Sequence, residues 1–301
     1  MQAADTRRPF GRLLTAMVTP MRPDGSVDLE GAGRLATYLV DEQGNDALVI
    51  NGTTGEAPTT SNEEKESLIR AVVEAVGDRA LVVGGVGTYD THHTIELAKS
   101  AEKAGAHGLL VVTPYYSRPT QAGLLAHFRA VADATGLPLL VYDIPVRSAV
   151  AVETETMCRL AEHPRIVGVK DAKGNLNESS WVLRRTDLAY YSGDDPYTLP
   201  LLSVGGVGVI GTSTHFTGLG TKELIEAFER GDTARALALH QQLLPLYTGI
   251  FRVPGQGVIL VKAGLNLKGL PGGTVRSPVV EATPEQIEQL RRDAAEAGLP
   301  L

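Results

Sequence analysis

Eight short apolar runs, separated by helical patterns, leave this chain very few architectures to adopt. They are LLTAMVT (13–19), ALVI (47–50), ALVV (80–83), GLLVV (108–112), LLVY (139–142), IVGVK (166–170), AYYS (189–192) and VGVI (207–210). Each is too short for an ordinary helix and closely preceded by Gly, Pro, Asp or Asn, and all but the tyrosine-bearing AYYS are rich in Val, Leu and Ile, which marks a buried strand. Their ends at Val18, Ile50, Val83, Val112, Tyr142, Lys170, Ser192 and Ile210 are 32, 33, 29, 30, 28, 22 and 18 residues apart. Most of these intervals are one βαβ step of roughly 30 residues. Helical patterns fill the gaps. The clearest runs from Ser61 to Val76, with Ser61 and Glu64 as a capping box and Leu68, Ile69, Val72, Val73 and Val76 on one face. Asp90–Ala104 and Thr120–Thr135 behave similarly.

This alternation predicts an α/β fold, a (β/α)8 TIM barrel with a C-terminal helical appendage; an open doubly wound sheet with fewer strands is the alternative. A chain of 301 residues suits such a barrel as one unit. Residues 1–230 are expected to form the catalytic barrel, closed by a helix at about 221–230. Residues 231–301 are expected to extend the same unit, with helices around 232–248, 256–267 and 284–297.

Composition removes several function classes. Hydrophobic residues make up 43% and charged residues 21%, enough to build a core and against disorder. The net charge of -7 opposes binding to a phosphate backbone, so no nucleic-acid partner is expected. Cys158 is the only cysteine, which excludes an intrachain disulfide and a cysteine-rich metal site. The N-terminal MQAADTRRPFGRLL lacks the apolar stretch of a signal peptide, and no run reaches the ~18 apolar residues of a membrane span. A cytoplasmic protein without membrane partners is the expectation.

Barrel active sites lie where strands end and βα loops begin. In IVGVK, alternation puts Ile166, Gly168 and Lys170 on one face, opposite Val167 and Val169. Lys170 therefore ends in the barrel mouth or presses against the helices. A lysine beyond the strand in solvent is the ordinary alternative. The outward placement buries an unpaired charge at a cost of several kcal/mol, so the inward one is favoured, with Gly168 leaving it space. Desolvation lowers a lysine's pKa, and about three units of lowering turns roughly 0.1% neutral amine into a practicable nucleophile. Tyr142 ends the neighbouring fifth strand, as a proton-transfer group or a structural aromatic. NGTTGE (51–56) follows the second strand, offering Thr53 and Thr54 hydroxyls and N–H donors to a small carboxylate. TPYYSRP (113–119) brings Tyr115 and Tyr116 into another βα loop.

GTTGE (52–56), VTPYYSRP (112–119), YDIPVR (142–147), VGVKDAKGN (167–175) and SGDD (192–195), in this order and spacing, resemble the dihydrodipicolinate synthase / N-acetylneuraminate lyase family. The resemblance runs from LLTAMVTP (13–20) to SPVVEATPEQI (277–287). It implies a lyase that condenses pyruvate with L-aspartate 4-semialdehyde through a lysine imine, in diaminopimelate and lysine synthesis, with no metal or organic cofactor. Position by position, it implies that Lys170 forms the Schiff base and that Tyr142, Thr53 and Tyr116 relay protons, Tyr116 from across a tight dimer interface. Thr54 matches the residue holding the pyruvate carboxylate, Arg147 the arginine meeting the second substrate's carboxylate, and Gly193 and Ile210 pocket positions that act largely through backbone. A homotetramer built from tight dimers is implied as well.

Three features depart from the synthase pattern. Val146 stands where synthases carry Gly or Ser, and Asn51 and GVIGTST (208–214) are closer to the lyase side, which keeps a retro-aldolase for sialic or 2-keto-3-deoxy sugar acids as the second reading. A keto-acid-binding regulator without turnover is a remote third. In lysine-inhibited relatives the effector pocket offers an asparagine and a glutamate; here the matching positions are Tyr89 and His93, with Asn62 and Lys65 where histidines often occur, so weak lysine inhibition is expected. His92 and His93 diverge on a helix and make no i, i+4 metal pair. Asp194–Asp195 reads as an N-cap and Cys158 as an inert buried thiol.

Overall fold

In the computed structural model, which describes residues 7–253 and 257–301, every one of the eight apolar runs becomes a strand. The elements follow one another as β1 (Leu13–Ala16), α1 (Leu29–Asp41), β2 (Ala47–Ile50), α2 (Asn62–Val76), β3 (Leu81–Gly85), α3 (Thr91–Lys103), β4 (Gly108–Val112) and α4 (Gln121–Asp133). The second half runs β5 (Leu139–Asp143), α5 (Pro145–Ser148), α6 (Thr154–Leu160), β6 (Ile166–Asp171), α7 (Leu176–Arg185), β7 (Ala189–Ser192), α8 (Thr198–Leu202), β8 (Gly208–Gly211) and α9 (Thr214–Glu229). Then come α10 (Thr233–Gly249), α11 (Val258–Leu267) and α12 (Pro284–Glu296). The strands close in order from β1 to β8, and β1 pairs parallel with both β2 and β8. This is the TIM barrel that the alternation predicts. Among the described residues no helix is long and apolar enough to cross a membrane.

Alternation along each strand sorts the apolar side chains into an inner and an outer core. Leu14, Val49, Val83, Leu110, Leu140, Tyr142, Tyr191 and Ile210 cluster together, with Phe10 packed among them. The outer cluster joins the other strand faces to the helices, as Leu48 and Ile50 do with Leu35, Leu39 and Leu68. The α2 helix starts where its sequence says it should: Ser61 accepts from the Glu64 N–H while the Glu64 carboxylate accepts from the Ser61 N–H.

Three sequence expectations are corrected. β1 ends at Ala16 rather than Val18, because the Val18 N–H donates to His215 Nε2 (3.2 Å) instead of to a strand. The closing helix begins at Thr214 rather than near 221, since its first turns are polar and glycine-bearing and carry no apolar period, although they are buried. Ile166 does not share the face of Lys170: the register of β5 on β6 shifts between Leu139↔Ile166 and Leu140↔Gly168, so Ile166 joins the outer cluster and Val167 packs against the inner one. In the C-terminal region, residue 256 of the expected 256–267 helix lies outside the described residues.

Candidate active site

Lys170, near the end of β6, is in register with Tyr142 of β5 on one side and Tyr191 of β7 on the other. It is 5% exposed, with Nζ 4.4 Å from the centre of the Tyr142 ring. Burial pushes its ammonium down to about 8; Asp195 and Asp194 oppose this and Arg147 assists it. A measurable fraction of the amine is therefore neutral at physiological pH. Burial also pushes the Tyr142 phenol up to about 12, while Arg147 and a hydrogen bond with Thr53 pull it down. Tyr142 thus stays protonated, with its hydroxyl linked to the loop after β2.

The room for Lys170 does not come from Gly168. A side chain there would meet the Ala189 carbonyl at 2.4 Å and Leu140 Cδ2 at 2.9 Å, so this glycine admits the neighbouring strand and an inner-core leucine. Gly193 is the residue that makes space: a Cβ at this position would stand 3.1 Å from Lys170 Cγ and 2.9 Å from Ala172 Cβ.

Beside the amine is a cavity of about 200 Å³, lined by Thr53, Thr54, Tyr142, Arg147, Gly193 and Asp194 among others. Thr54 Oγ1 lies 3.2 Å from Thr212 Oγ1. Asp195 secures that contact from below. Of the expected Asp194–Asp195 cap, Asp194 takes the N-cap position of the short 3-10 turn Asp195–Tyr197 but makes no side-chain cap bond, while the Asp195 carboxylate accepts from the Thr212 N–H (3.0 Å), the Ser213 N–H (3.2 Å) and Ser213 Oγ (2.6 Å). His215 braces the same loop, with Nδ1 2.8 Å from the Thr212 carbonyl and Nε2 accepting from Val18. Burial lowers this imidazole to about 4, so it is neutral and can do both.

Two residues singled out from the sequence are not at this cavity. Tyr116 is 93% exposed on a backbone with φ 72°, and Ile210 is buried in the inner core through its side chain. Val146 borders the cavity but is 86% exposed, at its rim. Cys158 is half-buried rather than buried. His92 pairs with Glu96 at 3.3 Å, and among the described residues no group of three or more His, Cys, Asp or Glu could hold a metal.

Sequence reasoning missed the brace beneath the GTTGE loop. Glu56, the last residue of that motif, is buried against Lys262 of α11 at 2.6 Å, and its other oxygen accepts from the Arg276 N–H at 2.9 Å. Arg276 also donates to Glu64 (2.8 Å), whose carboxyl its guanidinium holds down at about 2. Nothing local signals a partner 206 residues away.

A second cavity, of about 220 Å³, shares Thr53 and Tyr142 with the first and is lined by Asn62, Lys65, Tyr89 and His93. His93 Nε2 lies 3.1 Å from Asn62 Oδ1, and Tyr89 packs edge-on to Tyr115 with ring centres 5.5 Å apart.

A model of the dihydrodipicolinate synthetase family matches residues 9–297. The 4-hydroxy-tetrahydrodipicolinate synthase of Acidothermus cellulolyticus is 69% identical over 290 residues, covering 96% of this chain and 93% of its own. The 4-hydroxy-tetrahydrodipicolinate synthase 2 of Streptomyces coelicolor is 58% identical, with 97% of each chain covered. Among solved structures, the DHDPS of Cyanidioschyzon merolae with lysine bound superposes with a TM-score of 0.93 at 41% identity, over 96% of this chain and 99% of that one.

Proposed function

The chain belongs to the dihydrodipicolinate synthetase family, and from that premise we propose that it joins pyruvate to L-aspartate 4-semialdehyde through an imine on Lys170, as a 4-hydroxy-tetrahydrodipicolinate synthase of diaminopimelate and lysine synthesis. One observation carries the reading: a buried amine held at about 8 shares a strand register with a protonated phenol. The neutral amine of Lys170 attacks the keto carbon of pyruvate. Tyr142, hydrogen bonded with Thr53, passes the protons that let water leave. Loss of a C3 proton gives an enamine, which adds to the aldehyde carbon of the second substrate. The substrate's α-nitrogen then displaces Lys170 as the ring closes. Thr54, next to Thr212, is assigned to the pyruvate carboxylate and Arg147 to that of the acceptor, with Gly193 and the backbone of Ile210 completing the pocket. The imine is the electron sink, so the scheme requires no metal or organic cofactor.

Tyr116 completes the relay only in a second copy of the chain. Its 93% exposed ring and left-handed backbone support that role, because a bulky exposed residue held at positive φ is costly without a compensating contact. A homotetramer of tight dimers in the cytoplasm belongs to the same proposal. The retro-aldolase reading rests on Val146, which stands at the cavity rim, and on Asn51, whose side chain donates to the Lys65 carbonyl (3.1 Å) and lines the second cavity. Purified protein should consume L-aspartate 4-semialdehyde in a pyruvate-dependent reaction, and borohydride with pyruvate should inactivate it through an adduct on Lys170. Ready imine formation with turnover of sugar-derived aldehydes alone would replace the synthase by the aldolase.

A further inference from the structure

Two charged residues inside the motifs, Asp143 of YDIPVR and Lys173 of VGVKDAKGN, have no task in the steps above. They stand directly behind the reacting pair. β5 and β6 are in register at Tyr142↔Lys170 and, one residue on, at Asp143↔Asp171. Alternation turns Tyr142 and Lys170 into the barrel and the two aspartates out toward the helices, where both are buried. Two buried carboxylates side by side need a cation. Lys173 supplies it. Its Nζ lies 3.6 Å from Asp143 Oδ2 and donates to Glu178 (2.6 Å), while its N–H donates to Asp171 Oδ1 (2.9 Å). Asp171 Oδ2 in turn accepts from Ser179 Oγ (2.5 Å). Burial acts against the Lys173 ammonium, but Glu178, Asp143 and Asp171 outweigh it and hold its pKa above the ordinary lysine value. Burial likewise pushes the Asp143 carboxyl up to about 6, and Lys173 is the strongest pull in the other direction.

The same pair grips Val152 from both sides. The Val152 N–H donates to the Asp143 carboxylate (3.2 Å), and its carbonyl accepts from Lys173 Nζ (3.2 Å). Val152 is where the chain returns after leaving β5, so the two ends of the intervening loop meet at one carboxylate. That loop carries α5, and its Ile144, Val146 and Arg147 line the cavity beside Lys170. Within it Ser148 Oγ lies 3.0 Å from the Ile144 carbonyl and 2.8 Å from that of Val150, so the loop is braced internally and its base sets where Arg147 stands. Gln121 of α4 holds the neighbouring Ala151 carbonyl (2.8 Å) and Glu153 N–H (3.0 Å), so losing the ionic clip shifts the loop without releasing it. Resting on the assignment of Arg147 to the acceptor's carboxylate, we propose that Lys173 is a positioning residue: by bridging Asp143 and the Val152 carbonyl it fixes the 144–152 loop over the barrel mouth and so places Arg147 for the aldehyde substrate. Lys173 itself touches no substrate. The pyruvate half of the reaction is insulated from it, because the barrel register holds Lys170 and Tyr142.

The test is a double-mutant cycle in the full-length protein, comparing the wild type, Lys173→Met, Arg147→Ala and the double variant. Two quantities are read: kcat/KM for L-aspartate 4-semialdehyde, and the rate at which cyanoborohydride traps the pyruvate imine on Lys170. Lys173→Met should lose on the order of 10- to 100-fold in the first, as a misplaced orienting group does, and change the second little. Because Lys173 acts through Arg147, adding Lys173→Met to Arg147→Ala should cost little more than Arg147→Ala alone. Losses that multiply would overturn the proposal, as would an equal fall in imine trapping or no loss in Lys173→Met. Should Lys173→Met not fold, the near-isosteric Asp143→Asn removes the charge that Lys173 meets, keeps an acceptor for Val152, and runs the same cycle with the same outcomes. Full activity of Arg147→Ala, or a wild type that traps pyruvate without turning over L-aspartate 4-semialdehyde, would instead remove the reading on which this inference rests. Either result is visible before Lys173 is touched.

Discussion

Lys170 in the barrel mouth and Lys262 in α11 are both buried, at 5% and 1% exposure, and the protein uses them in opposite ways. Burial lowers the pKa of each. Lys262 has Glu56 in contact at 2.6 Å and also donates to the Thr274 carbonyl, so its ammonium is kept and used as a brace between the C-terminal helices and the GTTGE loop. Around Lys170 the carboxylates of Asp195 and Asp194 act only at a distance, Arg147 acts against them, and the Tyr142 ring centre lies 4.4 Å from Nζ. Desolvation by itself does not make a nucleophile. A carboxylate in contact turns a buried lysine into a structural cation, and its displacement by a few ångströms frees the amine for chemistry.

The sharpest test of this contrast is chemical. Lys170→Ala should abolish imine trapping and lower turnover by on the order of 10⁴-fold or more, and in the wild type peptide mapping should find the reduced pyruvate adduct on Lys170. An adduct on Lys262 would erase the distinction.

Stability should respond to the two lysines with opposite signs. Lys262→Met leaves the buried Glu56 without its ionic partner, with only the Arg276 N–H to satisfy it among the described residues, and should cost about 3–5 kcal/mol in urea unfolding. Lys170→Met should stabilise the fold by about 3 kcal/mol at pH 7, because folding lowers the lysine's pKa from 10.5 to about 8. The folded state binds that proton less tightly than the unfolded chain, so the penalty in the wild type is fully present below about 8. It fades as pH rises toward 10.5, and the two proteins should then converge. A destabilised Lys170→Met would mean that the ammonium has a partner as good as Glu56.

Catalysis should follow the same titration. Below about 8 only the neutral fraction of Lys170 reacts, so kcat/KM for pyruvate should climb with pH by about tenfold per unit and level off above it. A profile flat from acid to neutral pH would show that the amine is deprotonated by some other means.

Free lysine extends the comparison to a diffusing ammonium. The cavity beside Asn62, Lys65, Tyr89 and His93 has no carboxylate among the described residues that line it, unlike the pocket around Lys262. Inhibition at millimolar lysine should therefore be slight, and a micromolar inhibition constant in steady-state assays would refute this. The smallest effect expected is at Val146, whose 86% exposure predicts unchanged L-aspartate 4-semialdehyde kinetics in Val146→Gly. A large gain would mean that this side chain restricts the acceptor after all.

Much of the scaffold was legible in the sequence because its signals are local. Eight short apolar runs, the Ser61–Glu64 capping box and the period of α2 each depend on residues a few positions apart, and Lys170 next to Tyr142 follows from consecutive strands lying side by side. The resemblance to a known family added the remaining site residues as a set. The details of the site were less readable. The glycine beside the reactive lysine is Gly193 rather than Gly168, because Gly168 is pressed against Ala189 and Leu140 while the turn after β7 brings Gly193 up to Lys170 Cγ.

The sequence by itself determined the order of strands and helices, the closure they permit and the chemical groups at the strand ends. Only the tertiary structure decided which of those groups is reactive. Glu56 meets Lys262 across 206 positions, and Asp195 finds Thr212 and Ser213 on another strand's loop. A charged group's pKa depends on its desolvation and on distances to other charges, and in a closed barrel both are set by loops far apart in the chain.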